Sequence, residues 1–201
     1  MNLEEQIGKK ISDFFSWINL PIVQNHYIKD LQNWDALCAS LHIVNDLQRP
    51  KSEYYSLKSI NHLESIGIIQ TLYIEQDSIQ TLKNAILENG NFSLNNYHNV
   101  RSIRNKVFGH PSAKNSGKII TRHFFDIMDK NKQLIKHIYW GTVEEIESEN
   151  FTIADLVLEN SKTTFAYLKE IEEDLKLKFN EIMNKYTVKF GDVFKGATYT
   201  F

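Results

Sequence analysis

Residues 104 to 110 read Arg-Asn-Lys-Val-Phe-Gly-His, and three of them are types suited to phosphate chemistry. Arg104 offers a planar, permanently charged fork of N–H donors that can hold a phosphate by two oxygens. His110 exchanges a proton near neutral pH, which few side chains do. Asn105 both donates and accepts, so it can fix a histidine tautomer or a ribose hydroxyl. Unbroken helix would rotate His110 about 240° away from Arg104. Gly109 is a good left-handed C-cap and Pro111 cannot continue the helix, so a break there frees His110 to turn back. The alternative for the same residues is structural. Arg104 would then pair with an acid such as Asp77, and His110 would bind carbonyls at a helix end.

Charge is segregated around this string. The net charge is −2, but Arg101 to Trp140 carries nine Lys or Arg against Asp126 and Asp129, a balance of +7. The rest of the chain, with 14 basic and 23 acidic residues, stands at −9. Such asymmetry points to an anionic partner docking at one region, with phosphate backbones the usual candidate, or else to a solvated face that balances the acidic one. Lys106, Lys114, Lys118 and Arg122 are the cations placed to guide it, with Lys130, Lys132 and Lys136 beyond them. Phe124, Phe125, Tyr139 and Trp140 either stack bases or fill the buried face of a hairpin. The acidic stretch from Gly141 to Asp174 reads as a solvated helix face or as a surface for a basic partner.

The composition bounds the rest. With 201 residues, 42% apolar and 24% charged, the chain suits a single soluble globular domain, 1–201. No apolar run is long enough to span a membrane, and the acidic start (Met1 to Glu5) has no signal core. Cys38 is alone, which excludes an internal disulfide and a cysteine-based metal site and fits a reduced, cytoplasmic setting. No Gly-rich phosphate loop, serine elbow or His-Glu-x-x-His pattern is present, and no cofactor or metal is expected.

Three prolines and eight glycines are sparse punctuation and favour long helices. The spacing predicts helices over Leu3 to Ile18 and Ile22 to Leu47, broken at Asn19-Leu20-Pro21, with Arg49-Pro50 as punctuation. From Tyr54 to Leu87 one seam holds Leu57, Ile60, Ile66, Ile69, Leu72, Ile79, Leu82 and Ile86. Gln76 interrupts that seam and Asp77 lies beside it. Buried polar groups need partners, so these two either bridge helices or support a polar site. Glu88-Asn89-Gly90-Asn91 is a turn, and Leu94 to Phe108 a shorter helix. Ser112 to Gly117 reads as loop, then a β-hairpin spans about 119–140. A long helix opens at Phe151 or Thr152, and the tail, 187–201, has no assigned form. The fold expected is mainly α, an up-and-down helical bundle with a β-hairpin inserted before the last long helix.

The run Arg104-Asn105-Lys106-Val107-Phe108-Gly109-His110-Pro111 resembles the HEPN superfamily, whose hallmark is an arginine, often followed by asparagine, and a histidine with four to six residues between them, five here. The polar-studded helix from Ile69 to Asp77 is similar to the one that precedes that motif in such proteins. The resemblance implies metal-independent endoribonuclease chemistry, with Arg104, Asn105 and His110 catalytic and Asp77 and Gln76 supporting. It also implies an RNA partner and a homodimer with the motif at the dimer cleft. A toxin or defence role, with an antitoxin or regulator protein, is common among small proteins of this class. The alternative is a non-catalytic HEPN-like module that binds RNA, a nucleotide or a protein partner.

Overall fold

The computed structural model describes residues 3–27, 30–88, 92–94, 98–105, 112–115, 118–129, 134–141 and 146–190. In order these form α1 (Leu3–Ile18), α2 (Pro21–Tyr27), α3 (Leu31–Asp46), α4 (Gln48–Tyr55), α5 (His62–Leu87) and α6 (His98–Ile103). Then come β1 (Ser112–Asn115), β2 (Lys118–Asp129), β3 (Leu134–Gly141), β4 (Ile146–Thr152) and α7 (Ile153–Phe190). The chain is mainly helical, with an antiparallel sheet inserted before the last long helix, as the sequence predicts. Among the described residues no helix is long and apolar enough to cross a membrane.

Two compact units divide the chain. The first takes α1 to α3, α5 from Asp77 and α7 from Thr164. Each of its helices buries a stripe at three-and-four spacing: Ile7, Ile11 and Phe14 on α1, Leu37, Leu41 and Val44 on α3, Leu168, Ile171 and Leu175 on α7. Burying each such side chain contributes about 1.5–3 kcal/mol. The expected single helix from Ile22 to Leu47 is instead α2 and α3. Asp30 starts α3 by accepting the Asn33 amide hydrogen at Oδ1, and a helix cannot run through a residue that caps it. Charged groups link the helices. Lys10 pairs with Glu172, and Lys83 donates to Glu170 at 2.8 Å. After α5 the backbone turns at Glu88, whose φ of 55° is left-handed, and its carboxylate accepts from His26 and Lys178.

The second unit takes α4, α5 up to Gln76, α6, the sheet and α7 up to Thr163. Its apolar core joins Tyr54, Ile60, Ile69, Leu72, Val100, Ile103, Ile135, Ile153 and Leu156. Several boundaries differ from the sequence expectation. Pro50 does not end a helix but sits in the first turn of α4, where its missing N–H costs nothing. Helix α5 starts at His62 rather than near Tyr54. There Asn61 Oδ1 accepts the Glu64 amide hydrogen and Glu64 Oε2 accepts that of Asn61, a reciprocal capping box. Leu57, placed on the seam by spacing, therefore lies outside the helix and is exposed. The hairpin is part of a four-stranded antiparallel sheet in the order β1-β2-β3-β4. Residues 112–115, read as loop, pair with β2, and residues 146–152, read within an acidic helix face, pair with β3 from Ile146↔Trp140 to Thr152↔Leu134. Ser148, Glu149 and Asn150 are exposed, so the strand's polarity hides its pattern. Thr152 caps α7, with Oγ1 accepting the Asp155 amide hydrogen.

At the centre of this unit a carboxylate and an ammonium are both fully buried. Lys51 Nζ of α4 donates to both oxygens of Glu75 on α5, at 2.9 and 3.2 Å. Gln48 of α4 and Asn160 of α7 donate to the same carboxylate, and Asn160 Oδ1 accepts from Gln76 Nε2 at 2.7 Å. Gln76 thus bridges helices, one of the two roles its seam position allowed.

Two outcomes test these arrangements. Glu75→Leu strands the Lys51 charge and lowers unfolding free energy by about 3–5 kcal/mol, while adding Lys51→Met recovers a large part of it. Urea unfolding of the single and double variants measures both. Partial burial pushes the Glu88 carboxyl up, but hydrogen bonds and charge from Lys178 and His26 outweigh it and hold the group below its ordinary value. A carboxylate held low contributes stability above its unfolded pKa, ~4.3, and loses it as pH falls through the folded value. The Tm deficit of Glu88→Gln is therefore present near pH 7 and closes in acid.

Candidate functional site

Helix α6 is short, and its two buried residues are three apart. Val100 and Ile103 turn into the core of the second unit. Arg101 and Arg104 each follow one of them, rotated about 100° further round the helix, so both fall on one flank. At Arg104 and Asn105 the backbone widens into a π-type turn, a local feature that often marks functional positions.

The Arg104 guanidinium stands over the ring of Tyr73 on α5, its central carbon 4.3 Å from the ring centroid. Arg101 lies over the same ring at 5.1 Å. Arg104 Nε donates to Gln70 Oε1 at 3.5 Å, a long contact, and Arg104 Nη1 donates to Asn105 Oδ1 at 3.1 Å. Gln70 and Tyr73 are three apart and share a face of α5. Arg104, Gln70 and Tyr73 are half-buried and Asn105 is exposed.

All three of these partners are neutral. The π face and the two amide oxygens orient the guanidinium by charge–dipole and charge–quadrupole attraction, and none cancels its charge. A guanidinium has five N–H groups, so among the described residues donors remain for an incoming anion, including both on Nη2. A half-buried cation oriented in this way can take a phosphate in a charge-assisted, two-oxygen contact. Because Asn105 Oδ1 faces Arg104, its amide hydrogens point away from the guanidinium.

The other expected site residues are distributed as follows. Gln76 is turned to Asn160 in the buried network, away from this cradle. Asp77 lies in the first unit and is half-buried. Lys114 falls on β1, and Lys118 and Arg122 on β2, where Lys118 registers with Asn115 and Arg122 with Ser112 and Trp140. On the same strands His123 is opposite Tyr139, and His137 opposite Phe125 and Glu149. Lys106 and His110, with Phe108, Gly109 and Pro111, lie outside the described residues.

Sequence reasoning did not single out Gln70 and Tyr73. Their signal was present, as an aromatic and an amide three apart on the flank of α5 outside its apolar seam. No family model, no curated protein and no solved structure matches the chain. The functional reading is carried by the residues and their geometry.

One substitution tests the neutral cradle. If Arg104 contacts a phosphate, Gln70→Glu, which places a carboxylate beside Arg104 and neutralises it, weakens binding of a single-stranded oligonucleotide. The slope of log affinity against log salt falls by about one, as for loss of one phosphate contact.

Proposed function

We propose that the chain is a metal-independent endoribonuclease of the HEPN class, with Arg104, Asn105 and His110 at its centre. The observation that carries this reading is the Arg104 guanidinium, oriented by Gln70, Asn105 and Tyr73 with its charge left for an anion. Two sequence features support it: the Arg-Asn…Gly-His-Pro string, which resembles that class, and the +7 balance from Arg101 to Trp140.

In this mechanism His110 takes the proton from a ribose 2′-hydroxyl. The 2′-oxygen attacks the adjacent phosphorus, the bond to the 5′-oxygen of the next nucleotide breaks, and that oxygen takes up a proton. The products are a 2′,3′-cyclic phosphate end and a 5′-hydroxyl end. Arg104 stabilises charge developing on the phosphoryl oxygens, where a fixed cation acts most strongly. The Asn105 amide hydrogens are available to the ribose or to His110. One histidine does not conveniently serve as both base and leaving-group acid, so the reading takes a homodimer in which two motifs face one cleft. DNA, lacking the attacking hydroxyl, is not cut. The class also suggests a toxin or defence effector held in check by an antitoxin or regulator protein.

Purified protein incubated with single-stranded RNA and with DNA of the same sequence tests the reading. RNA is cut to cyclic-phosphate ends and DNA survives. Arg104→Ala lowers kcat by about 10²–10³ and His110→Ala by about 10²–10⁴. Cleavage that persists unchanged in both variants rejects the catalytic assignment. RNA binding without cleavage, lost on charge reversal of Lys118 and Arg122, would instead identify a non-catalytic binding module.

A further inference from the structure

We propose that Tyr73 is the positioning residue of the Arg104 site, fixing the guanidinium plane with its ring face while leaving the positive charge uncancelled. This rests on the reading of Arg104 as the phosphate-contacting group.

The ring is anchored on one side and presented on the other. Tyr73 packs against the apolar cluster that includes Ile69, Leu72, Val100 and Ile103, which holds it against the second unit's core. Its face meets the Arg104 guanidinium at 4.3 Å, inside the range where the ring quadrupole attracts a cation. Gln70, one turn earlier on α5, takes the Nε–H. Plane and edge are thus fixed by two residues of one rigid helix.

Arginine is a flexible side chain, carrying about 2 kcal/mol of rotamer entropy. If that freedom is lost only when substrate arrives, it weakens the contact made at the reacting phosphate. The aromatic seat removes much of it beforehand. An Asp or Glu in place of Tyr73 would orient Arg104 equally well but would cancel the charge that the chemistry uses. The ring face meets the guanidinium, so phenylalanine should substitute and an aliphatic residue should not.

The test uses two readouts on the full chain, wild type beside Tyr73→Phe and Tyr73→Leu. The first needs no ligand: the Arg104 Nε–H signal in a nitrogen-15 NMR spectrum, assigned by its loss in Arg104→Lys. It is expected to be ordered in wild type and Tyr73→Phe, and mobile in Tyr73→Leu. The second is RNA cleavage. There Tyr73→Leu is expected to lower kcat about 10-fold with a smaller change in KM, and Tyr73→Phe to stay near wild type. In an Arg104→Ala background Tyr73→Leu should cost nothing further, since a residue that acts through Arg104 has nothing left to position. An Arg104 signal equally ordered in Tyr73→Leu overturns the proposal. So does a Tyr73→Leu loss of activity that persists undiminished without Arg104, which is what a merely structural role gives. If wild type cuts no RNA while the NMR pattern holds, Tyr73 positions Arg104 and only the catalytic reading fails.

Discussion

The carboxyl group of Glu75 is fully buried against Lys51, and the arrangement of the second unit follows from satisfying it. An unpaired buried carboxylate is prohibitively costly, so Lys51, Gln48 and Asn160 must all arrive together. These donors come from α4 and α7, and their convergence fixes the rotation of α5 about its axis. Apolar packing alone is less exacting, since a helix with Leu and Ile around much of its girth can settle in neighbouring rotations. A buried ion pair tolerates one.

That rotation decides what α5 presents to α6. With Glu75 turned inward, Gln70 lies about 140° away round the helix and Tyr73 about 160° away, on the flank where Arg104 arrives. The polar network inside and the cradle outside are two consequences of one constraint. Networks of this kind often cost stability compared with a purely apolar core, and their attested use is to specify a single register. Here the register is what gives Arg104 its ring and its amide.

The electrostatic character of the two places differs in a way that matches their tasks. Inside, Lys51 and Glu75 neutralise each other and are finished as chemistry. At the half-exposed edge, the described groups that hold Arg104 carry no charge, so among them the cation is oriented and yet unspent. In the first unit, Lys10, Lys83 and Lys178, whose side chains are largely buried, all meet carboxylates. Arg104 departs from that pattern, and this departure sets it apart as a candidate for binding an anion.

By itself the sequence determined the mainly helical class, the bounds of α1 and the end of α5 at Leu87, a hairpin near 119–140, and the charged string from Arg104 to His110. These are local properties, written in periodicity, in glycine and proline, and in runs of like charge. Capping shifted the start of α5 by several residues because Asn61 and Glu64 make a local bond that outweighs the apolar pattern before it. Strand β4 escaped notice because its exposed residues are polar and only pairing with β3 makes it a strand. What tertiary structure alone decided was which polar residues of α5 turn inward and which turn to Arg104. Glu75 finds its partners 24 and 85 residues away, and Arg104 finds Gln70 at 34. Separations of that size leave no periodic trace in a single chain. So the string from Arg104 to His110 could be read from the sequence, but the seat that makes Arg104 an unspent cation could not.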